Sequence, residues 1–315
     1  MVTESQKMAS YKIEKITDPV RLGEGPHWDH DKKVLYFTDI EGCGVHKFDP
    51  ATKSLASLTF QEPVSIIIPI AGQKDRFIIT LGRNVAILTW DGVSKSPQNV
   101  EVLVSVDQEK GKETNRINDG KADPSGRLWA GTMGPYKNNK VTPERGMLFS
   151  LDKDRKAVTH VTKIGIANGL AWSLDNKTMY YIDSATRRVD AFDFDIKAGK
   201  ITNRRTIFDY PTNGVAGFPD GQAIDADGNL WIASYDANLV IQVNPSTGKL
   251  LKRVEMPAPK ITSVAFGGEK LDELFVTSAR DELTDEQLRR WPLSGSTFRV
   301  TGLGVTGLPG QPVSL

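Results

Sequence analysis

Glu24-Gly25-Pro26-His27-Trp28, followed by a polar turn from Asp29 to Lys33 and then by Leu35-Tyr36-Phe37, is the stretch whose reading decides the fold. Its plan returns along the chain. Asn118-Asp119-Gly120 runs through Asp123-Pro124-Ser125-Gly126 to Leu128-Trp129-Ala130. Asn168-Gly169-Leu170-Ala171-Trp172 runs through Asp175-Asn176-Lys177 to Met179-Tyr180-Tyr181-Ile182, and Asp220-Gly221-Gln222-Ala223-Ile224 through Asp225-Ala226-Asp227-Gly228 to Leu230-Trp231-Ile232. Weaker copies start at Ser65 and Ser263. The anchors Glu24, Ser65, Asn118, Asn168, Asp220 and Ser263 are spaced by 41, 53, 50, 52 and 43 residues.

Each copy reads strand, Gly/Asp-rich turn, strand, which is a hairpin. A third strand follows in several copies and stops at a proline turn, as Val45 to Phe48 stops at Asp49-Pro50 and Val240 to Val243 at Asn244-Pro245. Proline there has no N–H to continue a ladder. A fourth segment follows, Leu55 to Thr59 or Leu250 to Val254. Four short strands repeated roughly every forty to fifty residues describe a propeller blade. Six copies predict an all-β, six-bladed β-propeller over residues 11–315, preceded by an N-terminal extension at 1–10. A ring must close or leave an exposed edge. The alternating Tyr11 to Ile16 is expected to add a strand to the last blade. Helix is scarce, and the best case is Thr284 to Arg290, where Thr284 and Gln287 have capping-box spacing.

Composition excludes several classes. Forty Lys+Arg stand against 39 Asp+Glu, a formal net charge of +1, which gives no field to hold nucleic acid. The longest apolar run, near Ile66 to Ile68, is too short to span a bilayer. The first fifteen residues lack the apolar stretch of a signal peptide. Cys43 is the single cysteine, so no intrachain disulfide can form, and its turn setting makes it a weak nucleophile. These readings predict a cytoplasmic protein with no nucleic-acid or membrane partner; the small-molecule substrate expected of it comes from the channel site and the resemblance described below.

The first residue of each innermost strand lies near one mouth of a propeller's channel. The anchors should therefore form a ring that reads Glu, Ser, Asn, Asn, Asp, Ser. Converging carboxylates repel unless something neutralises them. A cation bound by Glu24, Asn168 and Asp220 would do so. An all-oxygen set favours hard ions such as Ca²⁺, Mg²⁺ or Mn²⁺. The alternative is that each polar residue merely caps a strand turn. Arg116 lies two residues before Asn118, on the same side of an extended strand. It reaches the mouth to clamp a carbonyl or anionic oxygen, or it is a surface charge. The four histidines are scattered and form no zinc motif. Asp225 to Asn229 lacks the glycine position and final Glu of a calcium loop and reads as a hairpin turn.

Five motifs together resemble the SMP-30/gluconolactonase family, which includes regucalcin and the luciferin-regenerating enzymes. They are Gly23-Glu24-Gly25-Pro26, Arg116-Ile117-Asn118-Asp119-Gly120-Lys121, Ala167-Asn168-Gly169-Leu170, Pro219-Asp220-Gly221 and Thr301-Gly302-Leu303-Gly304-Val305. Ala86 to Gly92 and Thr262 to Gly268 look especially like the insect luciferin-regenerating branch. The resemblance implies one divalent cation held by Glu24, Asn168 and Asp220, with Ca²⁺ first and Mg²⁺, Mn²⁺ or Zn²⁺ as alternatives. It implies that Asp220 is also the acid/base, and that Arg116 and Asn118 contact substrate. It implies a metal-dependent hydrolase of a lactone or related ester. Alternatives are activity on an oxyluciferin-like compound, or a non-catalytic calcium-binding regulator. Lactonases of the family carry a Glu shortly after Gly-Thr-Met, but here Gly131-Thr132-Met133 is followed by Gly134-Pro135-Tyr136. Pro135 stands about where that Glu would be, which puts sugar specificity in question. The long polar connections Gln108 to Asn115 and Met133 to Gly146 are expected to overhang the site and set substrate choice.

Overall fold

The computed structural model describes residues 11–137, 140–151 and 154–315; the expected extension at 1–10 and the middle of the 133–146 connection lie outside these. The described residues form six four-stranded antiparallel sheets, the blades of a propeller, and one two-stranded ribbon. The innermost strands, from the first blade to the sixth, are Gly23–Asp29, Ile67–Pro69, Arg116–Ala122, Ala167–Trp172, Phe218–Ile224 and Lys260–Gly267. In the second blade the anchor Ser65 precedes its strand instead of lying within it.

Ring closure follows the expectation. Lys12–Lys15 pairs antiparallel with Phe298–Thr301 as the outermost strand of the sixth blade, in the register Lys12 to Thr301. Arg299 and Glu14 reinforce the seam with an ion pair of 2.8 Å. The helix is Asp285–Arg290, capped by Thr284 in a full capping box with Gln287.

Burial explains the sequence pattern. The second strands are buried along most of their length, and Val34–Asp39 and Leu128–Met133 at every position, because blades cover both of their faces. The outermost strands are buried on one face only, as in Lys249–Glu255. The core lies between blades rather than inside them. Trp129 and Leu148 of the third blade interleave with Leu170, Tyr181 and Phe192 of the fourth, and Trp28, Leu35 and Phe37 of the first meet Phe275 of the sixth. The turn at Asp225 is a hairpin turn, as read: its Oδ1 accepts from the Asn229 N–H at 2.8 Å, and its Oδ2 from Trp231 Nε1 at 2.9 Å. Asp123 holds Trp129 in the same way in the third blade, at 3.0 Å.

A feature the sequence reading did not anticipate is the course of residues 302–315. This segment crosses the end of the channel opposite the anchors. It accepts from the Ala226 N–H through Thr306, lays Gly310 against the His27 ring, pairs Val313 with Ile70, and bonds Ser314 N–H to the Gly126 carbonyl. The blades are thereby strapped together across that face.

Candidate functional site

The anchors lie in distorted strands. The inner ladders slip register between Glu24 and His27, Ile117 and Asp119, Asn168 and Leu170, Pro219 and Gln222, and Ile261 and Val264. A bulge bends the strand and re-aims its side chains. Glycine next to the anchor is then a packing requirement. A Cβ on Gly169 would stand 2.7 Å from the Asp220 carbonyl oxygen, and one on Gly221 would collide with the Ser263 side chain.

All six anchors are buried. Several of their polar groups tie one blade to the next. Ser65 Oγ donates to the Ile117 carbonyl at 2.6 Å, and Asn118 Nδ2 to the Ala167 carbonyl at 2.7 Å. Asn168 Nδ2 donates to Ser184 Oγ at 2.8 Å, which donates to the Pro219 carbonyl at 2.6 Å. Ser65 and Asn118 thus tie neighbouring inner strands together, which is not the capping of a turn.

The acids differ. Asp220 Oδ1 is buried with no hydrogen-bond partner, and Glu24 Oε2 accepts from the Gly25 N–H at 2.9 Å. Burial pushes the Glu24 carboxyl up to about 8, with the charge of Asp119 adding to the shift. Asp220 is held well above the carboxylate range, by burial first and then by Glu24 and Asp119. Arg116 faces this group; its Nη1 donates to Asn118 Oδ1 at 2.6 Å, and it lies within electrostatic reach of Glu24 and Asp220. Asn118 Nδ2 also reaches Asn168 Oδ1, at 3.2 Å. The structure therefore brings Glu24, Arg116, Asn118, Asn168 and Asp220 to one end of the channel.

Two further residues enter the same electrostatic group. Asp119 is buried, and burial raises its carboxyl. Lys121 donates to the Gln222 carbonyl at 2.7 Å. Sequence reading quoted both inside a motif but gave them no role. Regular alternation turns Asp119 away from Asn118's face, and the bulge at Ile117/Asp119 is what alters that.

The donors fit a hard cation. Glu24 and Asp220 supply carboxylate oxygens with high proton affinity, one of them unpartnered, and Asn168 supplies an amide oxygen. Among the described residues, no group of three or more His, Cys, Asp or Glu side chains is arranged as a metal site. The candidate set is accordingly two acids and an amide. Two of the histidines stand elsewhere: His46 bonds Ser57 Oγ at 2.7 Å and stacks on Phe37, and His160 bonds Ser150 Oγ at 2.8 Å and stacks on Trp129. Burial and nearby acids raise the Cys43 thiol, which suits the reading of a poor nucleophile.

The connections at the mouth are tied to each other. Asn115 Nδ2 donates to Asp107 Oδ2 at 2.6 Å and to the Arg145 carbonyl at 3.0 Å, and the Arg145 side chain donates to the Gly111 carbonyl. Just after Pro135, Tyr136–Lys137 pairs with Lys140–Val141 as the small ribbon. Burial raises the Tyr136 hydroxyl, with Glu282 and Asp236 of the sixth and fifth blades contributing, so the ribbon leans across from the third blade. Among the described residues, no helix is long and apolar enough to cross a membrane.

Residues 22–280 match the model of the SMP-30/gluconolactonase/LRE-like region. Regucalcin of Gallus gallus is 42% identical over 307 residues, covering 97% of this chain and 99% of that protein. A solved luciferin-regenerating enzyme superposes with a TM-score of 0.92 at 44% identity, covering 97% of this chain and all of that one. A calcium-binding regucalcin from Agrobacterium tumefaciens gives 0.85 at 26% identity, covering 96% of this chain and 97% of its own. With the same propeller and a family match over most of its length, this chain belongs to the SMP-30/gluconolactonase/luciferin-regenerating-enzyme-like family.

Proposed function

We propose that this protein is a divalent-metal-dependent hydrolase acting on a lactone or related small-molecule ester at the anchor end of the channel. The observation that carries the reading is the buried, unpartnered Asp220 carboxylate oxygen facing Glu24. Such a group is costly in a folded protein unless a proton or a cation compensates it. Glu24, Asn168 and Asp220 would hold one cation, Ca²⁺ first. The Agrobacterium relative, described as calcium-binding, supports that choice. When bound, the cation supplies electrostatic polarisation of the ester carbonyl.

The chain's own residues do the rest. Arg116 and Asn118, already bonded to each other, bind and orient the ester oxygens. Asp220 accepts the proton that water loses as it attacks, because its carboxylate is enclosed and basic. Burial removes competing solvent and strengthens each of these interactions. A cytoplasmic setting belongs to the same proposal and rests on the lone, unbridged Cys43.

A second reading has its own support. Pro135 stands where sugar lactonases of the family carry Glu, Tyr136 follows it at the mouth, and the chain is 44% identical to a luciferin-regenerating enzyme. Activity on an oxyluciferin-like heteroaromatic compound is therefore the alternative substrate class. A panel of sugar lactones, aromatic lactones and heteroaromatic esters, assayed with Ca²⁺ or Mn²⁺ and with chelator, tests both. Metal-dependent turnover of any panel member supports the hydrolase, and metal-independent turnover, or none across the panel, counts against it.

A further inference from the structure

Glu24, Asp119 and Asp220 come from the first, third and fifth blades and interact electrostatically inside the channel. Facing them are Arg116 and Lys121, both from the third blade's inner strand. Arg116 is engaged by Asn118 at the mouth. Lys121 reaches inward, crosses to the fifth blade, and ends on the Gln222 carbonyl at 2.7 Å. Its ammonium lies in the fields of Asp119 and Glu24, and His27 on the first blade feels its charge. The side chain is part-buried, and an ammonium drawn into the channel is costly unless its charge is used. One backbone carbonyl does not satisfy its three N–H donors. Asp119 stands two residues before Lys121 in the regular register that follows the bulge, on the same face of the strand, and it is not in the candidate ligand set, so its charge is available to Lys121.

We propose that Lys121 is a resident cation of the channel, a positioning residue that offsets the charge of Asp119. On this account Lys121 confines the site to one divalent ion of moderate affinity. With all groups ionised, three carboxylates face two cationic side chains, and removing Lys121 leaves the surplus negative charge doubled. The inference rests on the proposal that the channel binds a divalent cation, but it has a consequence without metal: Lys121 stabilises the empty site.

The test uses the full chain and the variants Lys121→Met, Lys121→Arg, Asp119→Asn and the double variant Asp119→Asn/Lys121→Met. Ca²⁺ binding is read by calorimetry and stability by thermal melting in chelator. Lys121→Met should tighten Ca²⁺ binding about tenfold or more, or admit a second ion, and should melt lower in chelator. Asp119→Asn should weaken binding by a comparable factor, and the double variant should return to within about threefold of the parent. Lys121→Arg should behave as the parent. A merely structural strut predicts the opposite sign, weaker binding on its removal, and that result overturns the proposal, as does a double variant no closer to the parent than either single one. If Lys121→Met does not fold, tighter or unchanged binding in Asp119→Asn overturns it. If the parent binds no Ca²⁺, the metal-dependent reading fails, and the chelator melts alone decide: Lys121→Met melting with the parent overturns the resident-cation proposal.

Discussion

Emptying the candidate site should make the protein's stability fall as pH rises through neutrality, the reverse of what lowered surface carboxylates produce. Glu24 is raised from 4.5 to about 8 by burial and by Asp119. Between these values the folded state holds a proton that the unfolded chain has released. The folded state then binds more protons, so unfolding free energy declines with pH and levels off above the folded value. Histidines act in the opposite direction: burial lowers His27, His46 and His160 from 6.5 to about 4, and they cost stability as pH falls below 6.5. At pH 6.5 each of these histidines still opposes the fall by about 0.4 kcal/mol, but that part cancels in the Ca²⁺ increment and in the difference between parent and Glu24→Gln, which are read across the window pH 6.5 to 8. At about 1.4 kcal/mol per pH unit, Glu24 alone removes about 2 kcal/mol across it. Asp220, also raised, acts in the same direction. For a chain of 315 residues that is a fall of about 3 °C in melting temperature. Saturating Ca²⁺ displaces the protons, so its stabilising increment should grow by about the same 2 kcal/mol between pH 6.5 and 8. Tryptophan-fluorescence melts in chelator and in Ca²⁺ at both pH values measure this, and in chelator the fall between the two should be smaller in Glu24→Gln than in the parent. A Ca²⁺ increment equal at the two pH values, or a chelator melting point that rises with pH, would refute the reasoning.

At saturating cation, Asp220→Asn should reduce turnover by about two orders of magnitude or more, the range for losing a general base; near-native turnover in steady-state kinetics would exclude Asp220 from that role. Pro135→Glu should shift kcat/KM toward sugar lactones over aromatic ones, and an unchanged preference across the lactone panel would detach that position from specificity. Ending the chain after Val305 removes the strap that joins Ala226, His27, Ile70 and Gly126, and should lower the melting temperature by several degrees, about 5 kcal/mol for five lost backbone hydrogen bonds. A truncated chain that melts with the parent would show that the strap adds no stability.

The blades were legible because each repeat carries an apolar pair of strands around a polar turn, and two of them add a buried Trp held by the turn's Asp, Asp123 with Trp129 and Asp225 with Trp231. Closure by residues 12–15 was legible because an open ring has an obvious unpaired edge. The strap at 302–315 was not, because it pairs only through isolated bridges and leaves no alternation to read. At the site, Glu24, Asn168 and Asp220 stood out as polar residues at equivalent places near the start of repeated strands. Asp119 and Lys121 did not, because reading a strand as strictly alternating hides the bulge at Ile117/Asp119. The strand ties made by Ser65 and Asn118 depend on how closely neighbouring inner strands approach, a distance no single repeat contains.

The central claim is that one divalent cation sits among Glu24, Asn168 and Asp220. Anomalous diffraction from crystals of the protein grown with Mn²⁺ tests it most directly. The account predicts one strong peak inside the channel, at about 2.0–2.4 Å from a carboxylate oxygen of Glu24, a carboxylate oxygen of Asp220 and the amide oxygen of Asn168. A channel with no peak, or a peak bound by other residues while these three keep their hydrogen bonds, would contradict it.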